Sequence, residues 1–191
     1  MTRLAVLGSP IAHSKSPALH TAAYRALGLD WTYEAIEAIG DDLPRILKQD
    51  WRGLSLTMPL KRDVIALLDS VDEVAALTGA ANTVVLSTMR GYNTDVRGIV
   101  RAFDNAGVHQ LESVQLIGAG ATAASVIAAV ASMGATSAVV MARDPAKAAP
   151  LVALGERVGV VVVARQLGVM DRSLIVPSAV INTLPGGISQ T

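Results

Sequence analysis

Apolar and polar positions alternate along this chain in two successive series of short strands and helices. Residues 3–8, RLAVLG, form an apolar run closed by glycine and predict a buried strand. Ser16-Pro17 then supplies a cap and a first-turn proline for a helix that reaches Leu27 and stops at Gly28. WTYEAIE (31–37) predicts a second strand, DDLPRILKQ (41–49) a helix, and GLSLT (53–57) a third strand, after which Pro59 opens another helix. Residues 82–86 predict a further strand, Arg90-Gly91 a turn, and residues 96–106 a helix ending at Gly107. Strands that alternate with helices imply a mainly parallel sheet.

The series restarts at Ser113. SVQLIG predicts a strand, residues 122–133 a helix closed by Gly134, and SAVVMA a second strand. A helix follows Pro145, with Pro150 interrupting its expected middle, then come the run VGVVVVA and a last strand, AVINTL. The expected organisation is therefore an α/β protein of two domains, residues 1–100 and 101–191, joined along the helix at 96–106. No internal repeat or low-complexity segment is evident.

Composition narrows the classes of function. The chain is 51% hydrophobic but only 3% aromatic, so Ala, Val, Leu and Ile build the core, as in closely packed α/β layers. Sixteen basic and sixteen acidic residues cancel, and no basic stripe with interleaved aromatics appears, which argues against a nucleic acid partner. The absence of cysteine excludes disulfides and thiol chemistry, and His13, His20 and His109 are scattered without metal-ligand spacing. The apolar run at residues 4–7 is too short for a signal peptide, and no stretch approaches the length of a membrane span. A cytoplasmic protein is expected, with no membrane partner.

The most specific local signal lies in the second series. Gly118-Ala119-Gly120-Ala121-Thr122-Ala123 follows a strand and opens a helix, the context in which G-x-G-x-x-A carries meaning. Two glycines permit a tight turn and close approach of a pyrophosphate, and Ala123 lets helix and strand pack closely. A glycine-rich turn without a ligand is the structural alternative. At the end of the next strand, Arg143 stands where NAD-binding chains usually carry an acidic residue. With Lys147 four residues on, it suits a 2′-phosphate and hence NADP over NAD. Asp144 between them opposes this, by repelling phosphate or by bonding a ribose.

In the first series, Ser14 and Ser16, Thr57 with Lys61, Asn82 with Thr83, and Asn93 with Asp95 are expected at the C-terminal ends of elements, the rim where open parallel sheets bind ligands. Each also has an ordinary reading: Ser16 and Asp95 as helix caps, Asn82 as a turn residue, Lys61 as a solvated charge. Together they offer hydroxyl, amide, ammonium and carboxylate groups suited to a small polyhydroxylated acid.

The runs GSPIAHSKSPALH, LTMPLK, GAANT, YNTD, GAGATA and INTLPGG, in this order, resemble the shikimate dehydrogenase family, and the similarity extends from about residue 3 to the end. The resemblance implies a substrate domain with a mixed sheet followed by a Rossmann domain, and NADP-dependent reduction of 3-dehydroshikimate to shikimate on the route to chorismate and aromatic amino acids. It implies that Ser14 and Ser16 hold the substrate carboxylate, that Thr57, Lys61, Asn82 and Asp95 line the ring hydroxyls, and that Lys61 and Asp95 are the catalytic pair. It places Glu73 on the cofactor side, makes Ala142, Arg143, Asp144 and Lys147 the NADP-selecting segment, and adds Thr183 to the cofactor contacts of Gly118, Ala119, Gly120, Ala121 and Thr122.

The chain departs from the family pattern at Ser55, where an asparagine is usual, and at Ala142-Arg143-Asp144, where Asn-Arg-Thr is usual. Family members also continue beyond the fourth strand of the second domain. If residues 1–191 are the whole molecule, the Rossmann domain is incomplete and weak activity or none is expected. A quinate/shikimate dehydrogenase using NAD and a non-catalytic ligand-binding fragment are the alternatives, and a homodimer is among the arrangements left open.

Overall fold

The computed structural model describes residues 1–168 and 176–184. They belong to two compact units, Met1–Thr94 and Asp95–Thr191. The helix along which the sequence places the junction lies wholly in the second unit.

The first unit begins with β1 (Thr2–Gly8), α1 (Ser16–Ala26) and β2 (Trp31–Glu37). A 3-10 turn at Gly40–Asp42 then leads into α2 (Leu43–Ile46), so the helix expected at 41–49 is shorter and changes pitch. After β3 (Gly53–Leu56) come α3 (Leu60–Asp63) and a 3-10 turn at Val64–Leu67. Next are β4 (Ser70–Val71) and α4 (Glu73–Thr78), neither predicted from the pattern, then β5 (Thr83–Val85) and β6 (Arg90–Tyr92). Arg90-Gly91, expected as a turn, is instead the start of β6. The reversal sits earlier, in the 3-10 turn Leu86–Thr88 and at Met89, whose φ is +42°.

The sheet order is β2-β1-β3-β5-β6-β4. β1 pairs in parallel with β2 and β3, while β5 pairs antiparallel with β3 and with β6. Alternation along β1 sends Ala5 and Leu7 to one face, where they pack with Leu54, Leu56 and Val84 and with Leu43, Ile46, Leu60 and Val64 from the helical segments. Burying each such leucine contributes roughly 1.5–3 kcal/mol. Val6 turns to the other face, with Ile11, Tyr24 and Tyr33, flanked by Leu4 and Trp31.

The second unit runs from α5 (Asp95–Asn105) through β7 (Ser113–Ile117), α6 (Ala121–Ser132) and β8 (Ser137–Ala142). A 3-10 turn at Pro145–Ala148 precedes α7 (Ala149–Val158), then β9 (Val161–Gln166) and β10 (Ala179–Asn182). Pro150 therefore occupies the first turn of α7, where its missing N–H has no helical partner to lose. The four strands are parallel in the order β10-β7-β8-β9. Helix α6 is buried from Ala123 to Val130. Its run of alanines keeps it thin enough to lie close against neighbouring elements, since close packing leaves no room for longer side chains there. Among the described residues no helix is long and apolar enough to cross a membrane.

On the second face of the first sheet, His20 of α1 stacks flat on Tyr33 with ring centres 4.0 Å apart, and its Nδ1 shares a 3.3 Å hydrogen bond with the Tyr24 hydroxyl. Burial lowers the His20 pKa. The folded chain therefore binds this proton less readily than the unfolded one. The His20 contribution to stability is full above the ordinary histidine value of about 6.5 and declines as pH falls below it, levelling off beneath the lowered folded value. Melting temperatures taken from about pH 7.5 down to about pH 5 should fall less steeply in His20→Phe than in the wild type; identical slopes would contradict this account.

Candidate functional site

The strand directions assemble a polar rim at one edge of the first sheet. β1, β2, β3 and β6 end there, and β5, running the opposite way, begins there, as the pairs Ser55↔Thr83 and Thr83↔Tyr92 require. Asn82 and Thr83 thus arrive at this edge at the start of a strand, not at its C-terminal end as the sequence reading expected. Four backbone bonds lock the arrivals together. Thr57 N donates to Leu7 O at 2.9 Å, Leu56 N to Asn82 O at 2.8 Å, Ala81 N to Lys61 O at 2.8 Å, and Asn82 N to Tyr92 O at 2.9 Å. Consequently Thr57, Lys61 and Asn82 emerge from adjacent chain segments within one unit.

Local chemistry explains how each side chain is held. Leu60 N donates to Thr57 O at 2.8 Å, turning the chain through Met58-Pro59 into α3, so that Lys61 falls in the first turn of the helix. Asn82 is tied to the end of β6: its Nδ2 donates to Thr94 Oγ1 at 2.9 Å, and its Oδ1 accepts from Thr94 N at 3.1 Å and Thr83 Oγ1 at 3.0 Å. Ser14 and Ser16 lie in the segment after β1. Ser16 is the first residue of α1 and caps nothing; the cap position is Lys15, and Ser16 N donates to Ser14 Oγ at 3.3 Å. Asp95 opens α5 in the second unit, and Glu73 opens α4 in the first.

Asn93 turns inward. It is 5% exposed, and its Nδ2 donates to Thr78 Oγ1 at 2.9 Å and Ala80 O at 3.0 Å. Its backbone N–H donates to Asp72 Oδ1, the same carboxylate that caps α4 through Ala75 N at 2.7 Å. Asp72 and Thr94 therefore shape the rim, although sequence reasoning passed over both. The available signal for Asp72 was its cap position before α4; for Thr94 there was none, since its partner lies 12 residues away.

In the second unit the glycine turn is held from two sides. Gly118 N donates to Met141 O at 2.9 Å, and Thr183 donates to Ile117 O through both its N–H (2.8 Å) and its Oγ1 (2.9 Å). Gly118 has φ +107°, and a Cβ there would stand 2.5 Å from Thr183 Oγ1, so only glycine fits. Gly120 takes the cap position of α6 with no side-chain cap, and a Cβ added to it would meet nothing within 4 Å. Backbone amides at an uncapped helix start, with open space above the glycine, fit a pyrophosphate. Ala119, Ala121 and Thr122 complete this turn. Ala142 is buried at the end of β8, while Arg143 and Lys147 are exposed beside it. The Asp144 carboxylate accepts from Ala146 N at 3.1 Å and caps the Pro145–Ala148 turn, which gives it a local structural task between the two cations. The Pro185-Gly186-Gly187 end of the INTLPGG run lies outside the described residues.

A family model described as the shikimate dehydrogenase substrate binding domain matches residues 6–84. The shikimate dehydrogenase (NADP(+)) of Methanothermobacter thermautotrophicus is 35% identical over 149 residues, covering 75% of this chain and 53% of that protein. The crystal structure of Mycobacterium tuberculosis shikimate dehydrogenase aligns with a TM-score of 0.83 at 38% identity, over 97% of this chain and 71% of that one. Shikimate 5-dehydrogenase of Thermus thermophilus, solved in complex with NADP(H) and shikimate, aligns with a TM-score of 0.76 at 38% identity, over 85% of this chain and 63% of that one. The chain spans about half the length of the curated relatives it matches.

The two glycines of the turn should respond oppositely to a methyl group. Gly118→Ala meets both a left-handed backbone and Thr183, and should destabilise the second unit by about 2 kcal/mol or more. Gly120→Ala, in open space at negative φ, should cost well under about 1 kcal/mol. Denaturant midpoints check the contrast, and equal effects would contradict it.

Proposed function

Because this chain belongs to the shikimate dehydrogenase family, we propose that it binds shikimate in its first unit and NADP in its second, and that it interconverts 3-dehydroshikimate and shikimate. The observation that carries this reading is the rim of the first sheet, where strand reversal gathers Thr57, Lys61 and Asn82 and the loop after β1 brings Ser14 and Ser16. Hydroxyls and an amide of this kind match a compact acid bearing several hydroxyl groups. Ser14 and Ser16 hold its carboxylate, and Thr57 and Asn82 take its ring hydroxyls.

NADPH, when bound, supplies the hydride. Hydride addition to the ketone carbon builds negative charge on the carbonyl oxygen, and the Lys61 ammonium stabilises that charge and passes a proton to it. Asp95 is the proposed second member of the catalytic pair, a carboxylate able to accept from a substrate hydroxyl. In the reverse direction Lys61 receives the proton as the hydroxyl carbon gives up its hydride, so charge balances in both directions. The cradle of Gly118, Ala119, Gly120, Ala121 and Thr122 takes the pyrophosphate, and Arg143 with Lys147 takes the 2′-phosphate. Ala142, Asp144 and Thr183 border that site. This activity is a step of aromatic amino acid biosynthesis.

Calorimetry and turnover assays with shikimate, quinate, NADP and NAD test the reading. Binding of shikimate and NADP in preference to the other pair is expected, and a preference for quinate with NAD would contradict it. In the active protein Lys61→Ala should lower kcat by about 10²–10⁴-fold while changing shikimate affinity far less. Equal losses in both would reduce Lys61 to a binding group.

A further inference from the structure

The substrate carboxylate, on the reading above, is held by a loop with little regular structure of its own. Residues Ser9 to Lys15 lie between β1 and α1, and a loop side chain discriminates ligands only if its backbone is fixed. Two of the fixings are backbone bonds, Ser9 N to Met58 O and Ser14 N to Ile11 O, each 2.9 Å. A third comes from the neighbouring strand. Glu37, the last residue of β2, accepts a hydrogen bond from Ile11 N at 3.0 Å and another from the Ser9 side chain. These two bonds, the serine one foremost, lower the Glu37 pKa, and the nearby His13 adds to the effect. The side chain of Ile11 is buried between the sheet and α1 at 5% exposure, so its peptide is clamped from both sides.

The bonds form a directed relay. Glu37 holds the Ile11 amide, the Ile11 carbonyl accepts from Ser14, and Ser14 Oγ accepts from Ser16. We propose that Glu37 is a positioning residue that sets the loop bearing Ser14 and Ser16, and thereby tunes affinity for the substrate's carboxylate; this rests on the functional reading above. A carboxylate is well suited to this task because it accepts two bonds at once, from one backbone and one side-chain donor. Glu37 does not touch the substrate. Its influence passes through Ile11.

The test compares wild type, Glu37→Ala and Glu37→Gln by calorimetry with shikimate and with NADP, together with amide hydrogen exchange of the unliganded proteins. In Glu37→Ala, Ser14 amide protection should fall and shikimate binding should weaken by about tenfold, with NADP binding unchanged. Glu37→Gln keeps an oxygen facing the Ile11 amide and should recover most of both. Unchanged Ser14 exchange in Glu37→Ala, equal weakening of shikimate and NADP, or no recovery in Glu37→Gln would overturn the proposal. Failure of the wild type to bind shikimate would instead overturn the functional reading, and the exchange comparison would still decide whether Glu37 sets the loop.

Discussion

Reversal of β5 is the constraint on which the first unit's chemistry depends. Had every strand run the same way, residues before a strand would lie at the opposite edge from residues after one, about the full strand length away. Antiparallel pairing of β5 with both β3 and β6 puts Asn82, which precedes its strand, beside Leu56, which ends its own. The same pairing brings Ala81 N to the Lys61 carbonyl, so a turn of α3 is bonded directly to the segment leading into β5. A hydroxyl, an ammonium and an amide are thereby collected from distant parts of the sequence without any of them needing a long loop.

The collected groups are kept in place by a set of polar contacts among their neighbours. Asn93 and Asp72 bolt the end of β6 to α4, and Thr94 then fixes both ends of the Asn82 amide. An amide held at Oδ1 and Nδ2 together cannot flip, so its remaining hydrogen-bonding capacity has a defined direction. On the other side of the sheet centre, Glu37 performs the corresponding service for the loop after β1. In the second unit the proposed arrangement is simpler, because the peptide backbone itself would be the binding surface. Thr183 and Met141 hold the turn, and Gly118 has no side chain to obstruct it.

Much of this was legible in the sequence where the signal is local. Gly118 to Ala123 announced its turn because strand, glycines and helix follow one another directly, and the parallel order of β7, β8 and β9 follows from alternation with helices. β6 was misread because Arg90-Gly91 has turn composition. Gly91 is there for space: a Cβ would stand 2.5 Å from Leu68 Cδ1 and 3.1 Å from Ala81 Cβ, so the glycine permits close packing inside a strand. β4 spans only Ser70–Val71, too short to show periodicity, and Asn93 looked like a ligand contact because nothing nearby in sequence reveals the buried Thr78 that binds it. Contacts such as Ile11 to Glu37, 26 residues apart, carry no local signature at all.

A backbone NMR titration of the chain with shikimate tests whether strand reversal assembles a single binding rim. A rim assembled by strand reversal predicts that the amides of Ser14, Thr57, Lys61 and Asn82 shift together along one saturable curve, while those at the other edge of the sheet, such as Arg3, Arg52 and Ser87, stay still. Shifts centred on that other edge, or saturation of one segment without the others, would contradict it.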